Sequence, residues 1–214
     1  ILDEQNASTM LSRLESLGLL KAIHPNLDYD DKVAQRLGAV PDTMPSPEWG
    51  LPTQNWNLLF QKLSFIVWFL PMEPQATEAV LSRLNYPVNE ARSILSACRL
   101  FGNLAHLIYL PIFDLVMVLD EYDPLVIFAN YLCAADIACK SLLESYLKHW
   151  RHVRAKINGD ELRRRGLPPS PLYKTILNAL RKAWLEGSVS TPAQEYELLE
   201  ALIKANQTGH SAGE

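Results

Sequence analysis

Apolar residues recur three and four positions apart along most of the chain, and this spacing predicts helices almost throughout. Ser8 or Thr9 is placed to cap a first helix reaching Leu19, with Met10, Leu11, Leu14 and Leu17 on one face. A short helix and turn follow up to Leu27. Asp30 or Asp31 opens another helix, which Gly38 closes after Leu37. Pro41 to Pro52 holds four prolines and one glycine and reads as an irregular loop. Trp56, Leu59, Phe60, Leu63, Val67 and Leu70 mark a helix from Asn55 that Pro71 stops, and Glu73 to Leu84 is amphipathic. Asn89 is placed to cap a long helix ending near Leu110, and Pro111 begins a short one. Pro124 starts a helix that is apolar on most sides up to Cys139, the mark of a central core helix. Beyond Cys139 it turns amphipathic, and its far end carries Lys148, His149, Arg151, His152 and Arg154 on the solvent side.

The stretch from Ile157 to Leu177 breaks this rhythm with two helix starts, a run of three arginines and three prolines. Asn158 or Asp160 can cap a short helix through Arg165, and Gly166 can close it in the left-handed conformation. Leu167 to Pro169 must be extended. Ser170 then suits an N-cap, with Pro171 at the first helical position, where its missing N–H costs little. That helix runs to Glu186 and ends at Gly187. Thr191-Pro192 repeats the start, with Gln194 placed for a capping box, and the last helix reaches about Ala205 before a polar tail from Asn206 to Glu214. Strand signals are nearly absent, so the expectation is an all-α, multi-helix bundle of about nine or ten helices joined by Pro-containing turns.

Charge changes the picture through its distribution. The 214 residues suffice for one large domain or two small ones, and a net charge of −4 does not advertise a polyanion partner. Between Lys140 and Lys182, however, eleven Lys and Arg face three acids, a net of +8 that leaves about −12 for the remainder. That asymmetry marks one face as anion-binding, or else a set of solvated basic helix faces. Cys98, Cys133 and Cys139 lie in apolar surroundings without CxxC spacing, which points to reduced thiols and a cytoplasmic protein. No signal peptide is visible, and the absence of Met at Ile1 suggests a piece of a longer polypeptide. The longest apolar run, Pro124 to Cys139, carries Asn130 and Asp136 and is too short to span a bilayer, so no membrane partner is expected.

Helix starts carry free N–H groups and partial positive charge, so two of them beside three arginines and Lys174 make a plausible grip on a phosphate backbone. The glycines and prolines read as punctuation of the fold. The phosphate-contact candidates are Lys148, Arg151, Arg154, Lys156, Arg163, Arg164, Arg165, Lys174, Arg181 and Lys182. His149 and His152 sit three apart after Glu144, but they read as exposed bases in a cationic stripe, and no metal site is expected. His24 reads as a turn residue, and His106 as a hydrogen-bonded core histidine. Asp28-Tyr29-Asp30 reads as turn and cap residues. Trp150, beside Arg151, is the tryptophan best placed to stack on a base. No catalytic residue set is identifiable.

One pattern carries a resemblance. Ile157, Gly159, Leu162, Gly166, Leu167, Pro169, Pro171 and Tyr173, followed by Ile176, Leu177, Leu180, Ala183, Gly187 and Val189, resemble the C-terminal region of bacterial tRNA nucleotidyltransferases, the CCA-adding or poly(A) polymerase-like enzymes. The stretch from Arg13 to Leu27 is similar to the place where that family's neck joins its body. Ser170 departs from the pattern, where the family often has Gly. The resemblance implies residues 1–40 as the end of a neck-like segment, 41–156 as a helical body and 157–214 as a tail, in one continuous domain or several. It also implies that the chemistry belongs to an N-terminal head with a Gly-rich loop, paired aspartates for magnesium, and CTP and ATP as substrates. The head motifs and the neck's Glu-Asp-x-x-Arg motif are absent here. The expectation is therefore a region that has no cofactor of its own, binds tRNA at its acceptor arm and elbow, and orients it for a head outside this chain. The alternative is an α-helical protein–protein module, a homodimerising one included, without RNA contacts.

Overall fold

The structure, a computed structural model, describes residues 7–41, 44–52 and 55–210. Among them are twelve α-helices and no strand. They are α1 (Ala7–Ser16), α2 (Leu19–Ile23), α3 (Asp31–Gly38), α4 (Trp56–Phe69), α5 (Pro74–Arg83), α6 (Val88–Leu107), α7 (Ile112–Leu119), α8 (Pro124–Cys133), α9 (Ile137–Lys148), α10 (Gly159–Arg164), α11 (Leu172–Leu185) and α12 (Pro192–His210). The chain divides into two compact units, one of residues 1–110 and 118–148, the other of residues 111–117 and 149–214.

The first unit is built around α8. Six consecutive residues, Leu125 to Asn130, are buried there, as a helix apolar on all sides requires. It packs against α4, α6 and α9. Leu63, Val67, Ile127 and Leu143 are sealed from solvent, each such side chain contributing roughly 1.5–3 kcal/mol. Asn130 is the polar exception, and its amide donates to the carbonyls of Ala97 and Val126 at 3.3 and 2.9 Å. Side-chain caps start several of these helices. Asp30 accepts from Val33 N–H, Asn55 from Leu58 N–H and Asp123 from Leu125 N–H.

Several boundaries differ from the pattern. The helix expected through Leu19 breaks at Gly18, whose φ of 69° is left-handed and ends one helix before the next begins. Met10 and Leu17 are consequently 39% and 60% exposed, while Leu11 is buried. The helix expected to run on from Pro124 stops at Cys133, where Ala134 is extended (φ −62°, ψ 121°). Asp136 then accepts from Ala138 N–H at 2.6 Å and starts α9 afresh. The pattern took Asp136 as an interruption of an apolar run, whereas it is a cap. At the other end, α9 stops at Lys148, and a one-turn 3-10 helix (Trp150–His152) leads into extended Val153, so the basic stretch does not form one helix face. Pro87, not Asn89, stands at the start of α6.

The second unit is organised by the residues that carry the sequence motif. Leu162, Ile176 and Leu180 are buried with Ile157 and Leu199, and Leu167, Leu172, Tyr173 and Leu177 pack against them. Gly166 has φ 82°. Its N–H bonds Arg163 carbonyl while Leu167 N–H bonds Leu162 carbonyl, a Schellman closure of α10 with Leu167 folding back onto the core. The Tyr173 hydroxyl donates to Leu167 carbonyl at 2.6 Å, and its ring lies 3.6 Å from where a Cβ on Gly159 would sit. Ser170 makes no side-chain cap, but its carbonyl accepts from Tyr173 N–H. The capping box of α12 forms as the spacing predicts. Gln194 Oε1 accepts from the N–H groups of Ser190 and Thr191, and Thr191 Oγ1 accepts from Gln194 N–H.

Candidate nucleic-acid interface

Nine of the ten candidate cations lie in the second unit, and the structure sorts them by what else they do. Arg181 is only 9% exposed and donates from Nε to Val153 carbonyl at 3.0 Å, so it ties α11 to the segment before α10. Arg165 pairs with Glu161 at 3.1 Å, bonds Glu200 and lies 5.2 Å from the centre of the Tyr196 ring. Those contacts join α10 to α12 and leave its side chain 28% exposed. Lys182 faces Glu186 at 3.8 Å and the Phe113 ring at 6.0 Å. Arg164 also touches Glu161, at 2.9 Å, but its side chain is 73% exposed and can turn to another anion with little loss.

A more open set remains. Arg154, Lys156, Arg163 and Lys174 are exposed, and Arg151 is half-buried. Arg154 donates to the carbonyl of Val153 beside it. Lys156, Arg163 and Lys174 have no side-chain ion pair among the described residues. They lie on the loop before α10, on α10 itself and on the first turn of α11. Of the two acids on α10, Glu161 is occupied by Arg164 and Arg165, and Asp160 makes no ion pair among the described residues. The start of α10 offers no anion site of its own, because Asn158 Oδ1 already takes the N–H groups of Asp160 and Glu161 at 3.1 Å each. An anion meeting this end of the unit would therefore find side chains and not the free N–H groups of α10.

Lys148, the tenth candidate, belongs to the first unit. Its ammonium bonds Glu144 at 2.7 Å and sits 4.6 Å above the Trp49 ring. Glu144 holds that ammonium above the ordinary lysine pKa, with a smaller opposing effect of desolvation. Trp49 in turn meets Phe128 and Tyr131, with ring centres 5.0 and 4.6 Å away, and Lys140 lies 5.2 Å over Tyr131. Trp150, expected to stack on a base, is half-buried in the one-turn 3-10 helix, and a separate ring cluster with cations over it centres on Trp49. The signal was present in the aromatic pair Phe128 and Tyr131, three apart on one helix face, but the loop carrying Trp49 gave no hint of where it would land.

Two further residues escaped the sequence reading. Glu195 is 1% exposed, and its carboxylate accepts from the backbone N–H groups of Lys156 and Ile157. It lies in the first turn of α12, where an acid also matches the helix dipole. Tyr196 beside it carries the Arg165 guanidinium. Other small readings divide: His106, expected as a hydrogen-bonded core histidine, is exposed on α6, whereas the turn and cap readings hold. His24 Nδ1 accepts from Asn26 N–H in its turn, Asp30 caps α3, and Asp28 pairs with Lys21 at 3.7 Å. Among the described residues no three His, Cys, Asp or Glu side chains converge as metal ligands. No helix among them is long and apolar enough to cross a membrane.

No protein-family model matches the chain, and no curated protein does. Solved structures do match. The chain resembles the Thermotoga maritima CCA-adding enzyme complexed with tRNA at 17% identity and a TM-score of 0.67, covering 95% of this chain and 48% of that one. It resembles a CCA-adding enzyme in complex with CTP at 17% identity and TM-score 0.65, and an apo form at 16% and 0.64, with the same coverage. The likeness shows the fold. This chain has the all-helical architecture of about half of a CCA-adding enzyme and spans 48% of those enzymes' length, consistent with the C-terminal region that its motifs resemble.

Proposed function

We propose that this chain is the RNA-binding region of a tRNA nucleotidyltransferase of the CCA-adding or poly(A) polymerase-like kind, gripping tRNA for a catalytic head that this chain does not contain. The observation that carries the reading is the set of open cations, Arg154, Lys156, Arg163, Arg164 and Lys174, on the second unit of a chain whose fold matches a tRNA-complexed CCA-adding enzyme. Exposed cations, all but Arg164 without an ion pair among the described residues, suit a phosphate backbone, and duplex RNA is read through its backbone and shape. The proposed footprint is the acceptor arm and elbow of tRNA. Magnesium and the CTP or ATP substrates belong in this reading to the head, and no chemical step is assigned to the residues here. The protein works in the cytoplasm, where tRNA is processed.

Titration of tRNA into the 214-residue chain at low salt tests this. Saturable binding, retained when a double-stranded DNA of equal charge competes, supports it. No binding at low salt, together with a stable dimer in solution, would instead favour an α-helical interaction module.

A further inference from the structure

The first unit carries an open groove of about 310 Å³ between the turn that joins α4 to α5 and the second half of α6. That volume is at the lower end of the roughly 300–1,000 Å³ of ligand sites, room for a bulky side chain more than for a whole cofactor. Leu70, which is buried, and Met72, Pro74 and Phe101, which are half-buried, give it an apolar lining. Gly102 leaves one side open, since nothing lies within 4 Å of where its Cβ would stand. From Gly102 the exposed face of α6 continues through Ala105 to Tyr109, just past the helix end and 81% exposed. The groove therefore opens onto an exposed apolar track about two turns long, of the kind that marks an interaction surface. The cations beside it are unspent. Arg92 and Arg99 stand two turns, about 10 Å, apart on the exposed side of α6, and neither makes an ion pair among the described residues. Exposed His106 continues the row by the same step. Across from the row, on the α4–α5 turn, stands exposed Glu73.

An apolar slot beside cations two turns apart is complementary to a helix that is apolar on one face and acidic along its flank. Side chains two turns apart on a helix share a face, so acids at that spacing on a partner meet Arg92 and Arg99 together. A nucleic acid fits less well. It offers phosphates but no aliphatic side chain for Met72 and Phe101. The first unit as a whole also bears ten Lys and Arg against sixteen Asp and Glu, a field that repels a long polyanion, whereas a short acidic helix is held by its nearest cations. We propose that this face of α6 docks an acidic amphipathic helix of a partner protein, with a bulky apolar side chain in the groove between Met72 and Phe101 and carboxylates on Arg92 and Arg99. Glu73 sets the orientation by repelling carboxylates from the other rim. The site uses none of the second unit's cations and does not rest on the tRNA-binding reading.

The test is fluorescence anisotropy of a labelled synthetic helix of about twenty residues, Leu and Phe on one face and Glu along the flanks, titrated with the 214-residue chain. A twin peptide carries Lys in place of every Glu. The acidic peptide is expected to bind one to one, and the Lys twin at least about tenfold more weakly. Arg99→Glu reverses an exposed charge and should weaken the acidic peptide by about tenfold. Gly102→Leu fills the open side of the groove. Its Cβ meets nothing and the helix gains propensity, so the melting temperature should not fall while peptide binding drops by about tenfold. Circular dichroism checks the fold of both variants, and Arg99→Glu decides alone if Gly102→Leu does not fold. Absence of peptide binding, equal binding of the two peptides, or binding indifferent to either folded variant would each overturn the proposal. So would a loss of tRNA affinity in these variants with neither peptide bound, which gives the face to RNA. A dimer of the unaltered chain that Gly102→Leu turns into a monomer would overturn it too, in favour of a second copy.

Discussion

The carboxylate of Glu195 accepts hydrogen bonds from the backbone N–H of Lys156 at 2.9 and 3.2 Å, across 39 residues of sequence. A further bond at 3.1 Å comes from Ile157 N–H. The first turn of α12 thereby fixes the loop that carries Arg154 and Lys156, immediately before α10 brings in Arg163 and Arg164. One buried acid thus holds the basic loop at the entry to α10.

Removing that acid leaves two backbone donors without their partner. Glu195→Ala is expected to destabilise the second unit by about 3 kcal/mol, and Glu195→Gln, which keeps one acceptor oxygen, by about 1 kcal/mol. Urea unfolding followed by tryptophan fluorescence measures both.

Two glycines should respond with opposite sign. Gly166 has φ 82°, so Gly166→Ala forces a side chain into the left-handed region and is expected to cost about 1–2 kcal/mol. Gly102 lies inside α6 with nothing within 4 Å of an added Cβ, and Gly102→Ala is expected to stabilise by about 0.5–1 kcal/mol. Thermal unfolding of the two variants side by side reads the difference.

The cysteines give a pH prediction. Burial raises the thiols of Cys98 and Cys133 to about 11, against an ordinary value of 9.0. The folded state therefore holds these protons more tightly than the unfolded one. Their contribution to stability is complete below about pH 9 and is lost as pH rises through about 11. Alkylation of the native protein at pH 8 should accordingly be much slower at both than for a free thiol, and it should speed up on adding urea. Mass spectrometry of the labelled peptides follows each site.

Much of this was legible in the chain, and the gaps have physical causes. Periodicity and caps placed the helices, and Gly166 and Gln194 took the roles their spacing implied, because those roles are local. Asp136 was placed inside a helix because an Asp in an apolar run reads the same whether the helix continues past it or breaks and restarts there. Charge alone grouped Arg165 and Arg181 with Arg163 because pairing is a long-range property. Glu200 and Tyr196 reach Arg165 from α12, and Val153 receives Arg181, across separations that no local pattern records. The contact of Trp68 with Asp28 escaped for the same reason, since the two meet across 40 residues.

The difference between arginines can be measured. Arg165→Ala should lower unfolding stability by about 1 kcal/mol, since it loses contacts to Glu161, Glu200 and Tyr196, and should change RNA affinity less than Arg163→Ala does. Arg163→Ala should leave stability within about 0.5 kcal/mol. Parallel unfolding and RNA-binding curves for the two variants decide it.

The most direct test of the central claim is the salt dependence of tRNA affinity for the unaltered chain and for the combined Arg163→Ala, Arg164→Ala and Lys174→Ala variant. The account predicts a steep linear fall of log affinity with log salt, and a slope shallower by about one for each phosphate contact removed, up to about three, at unchanged melting temperature. A slope that stays the same in the folded triple variant, or tRNA binding that is insensitive to salt, would contradict it.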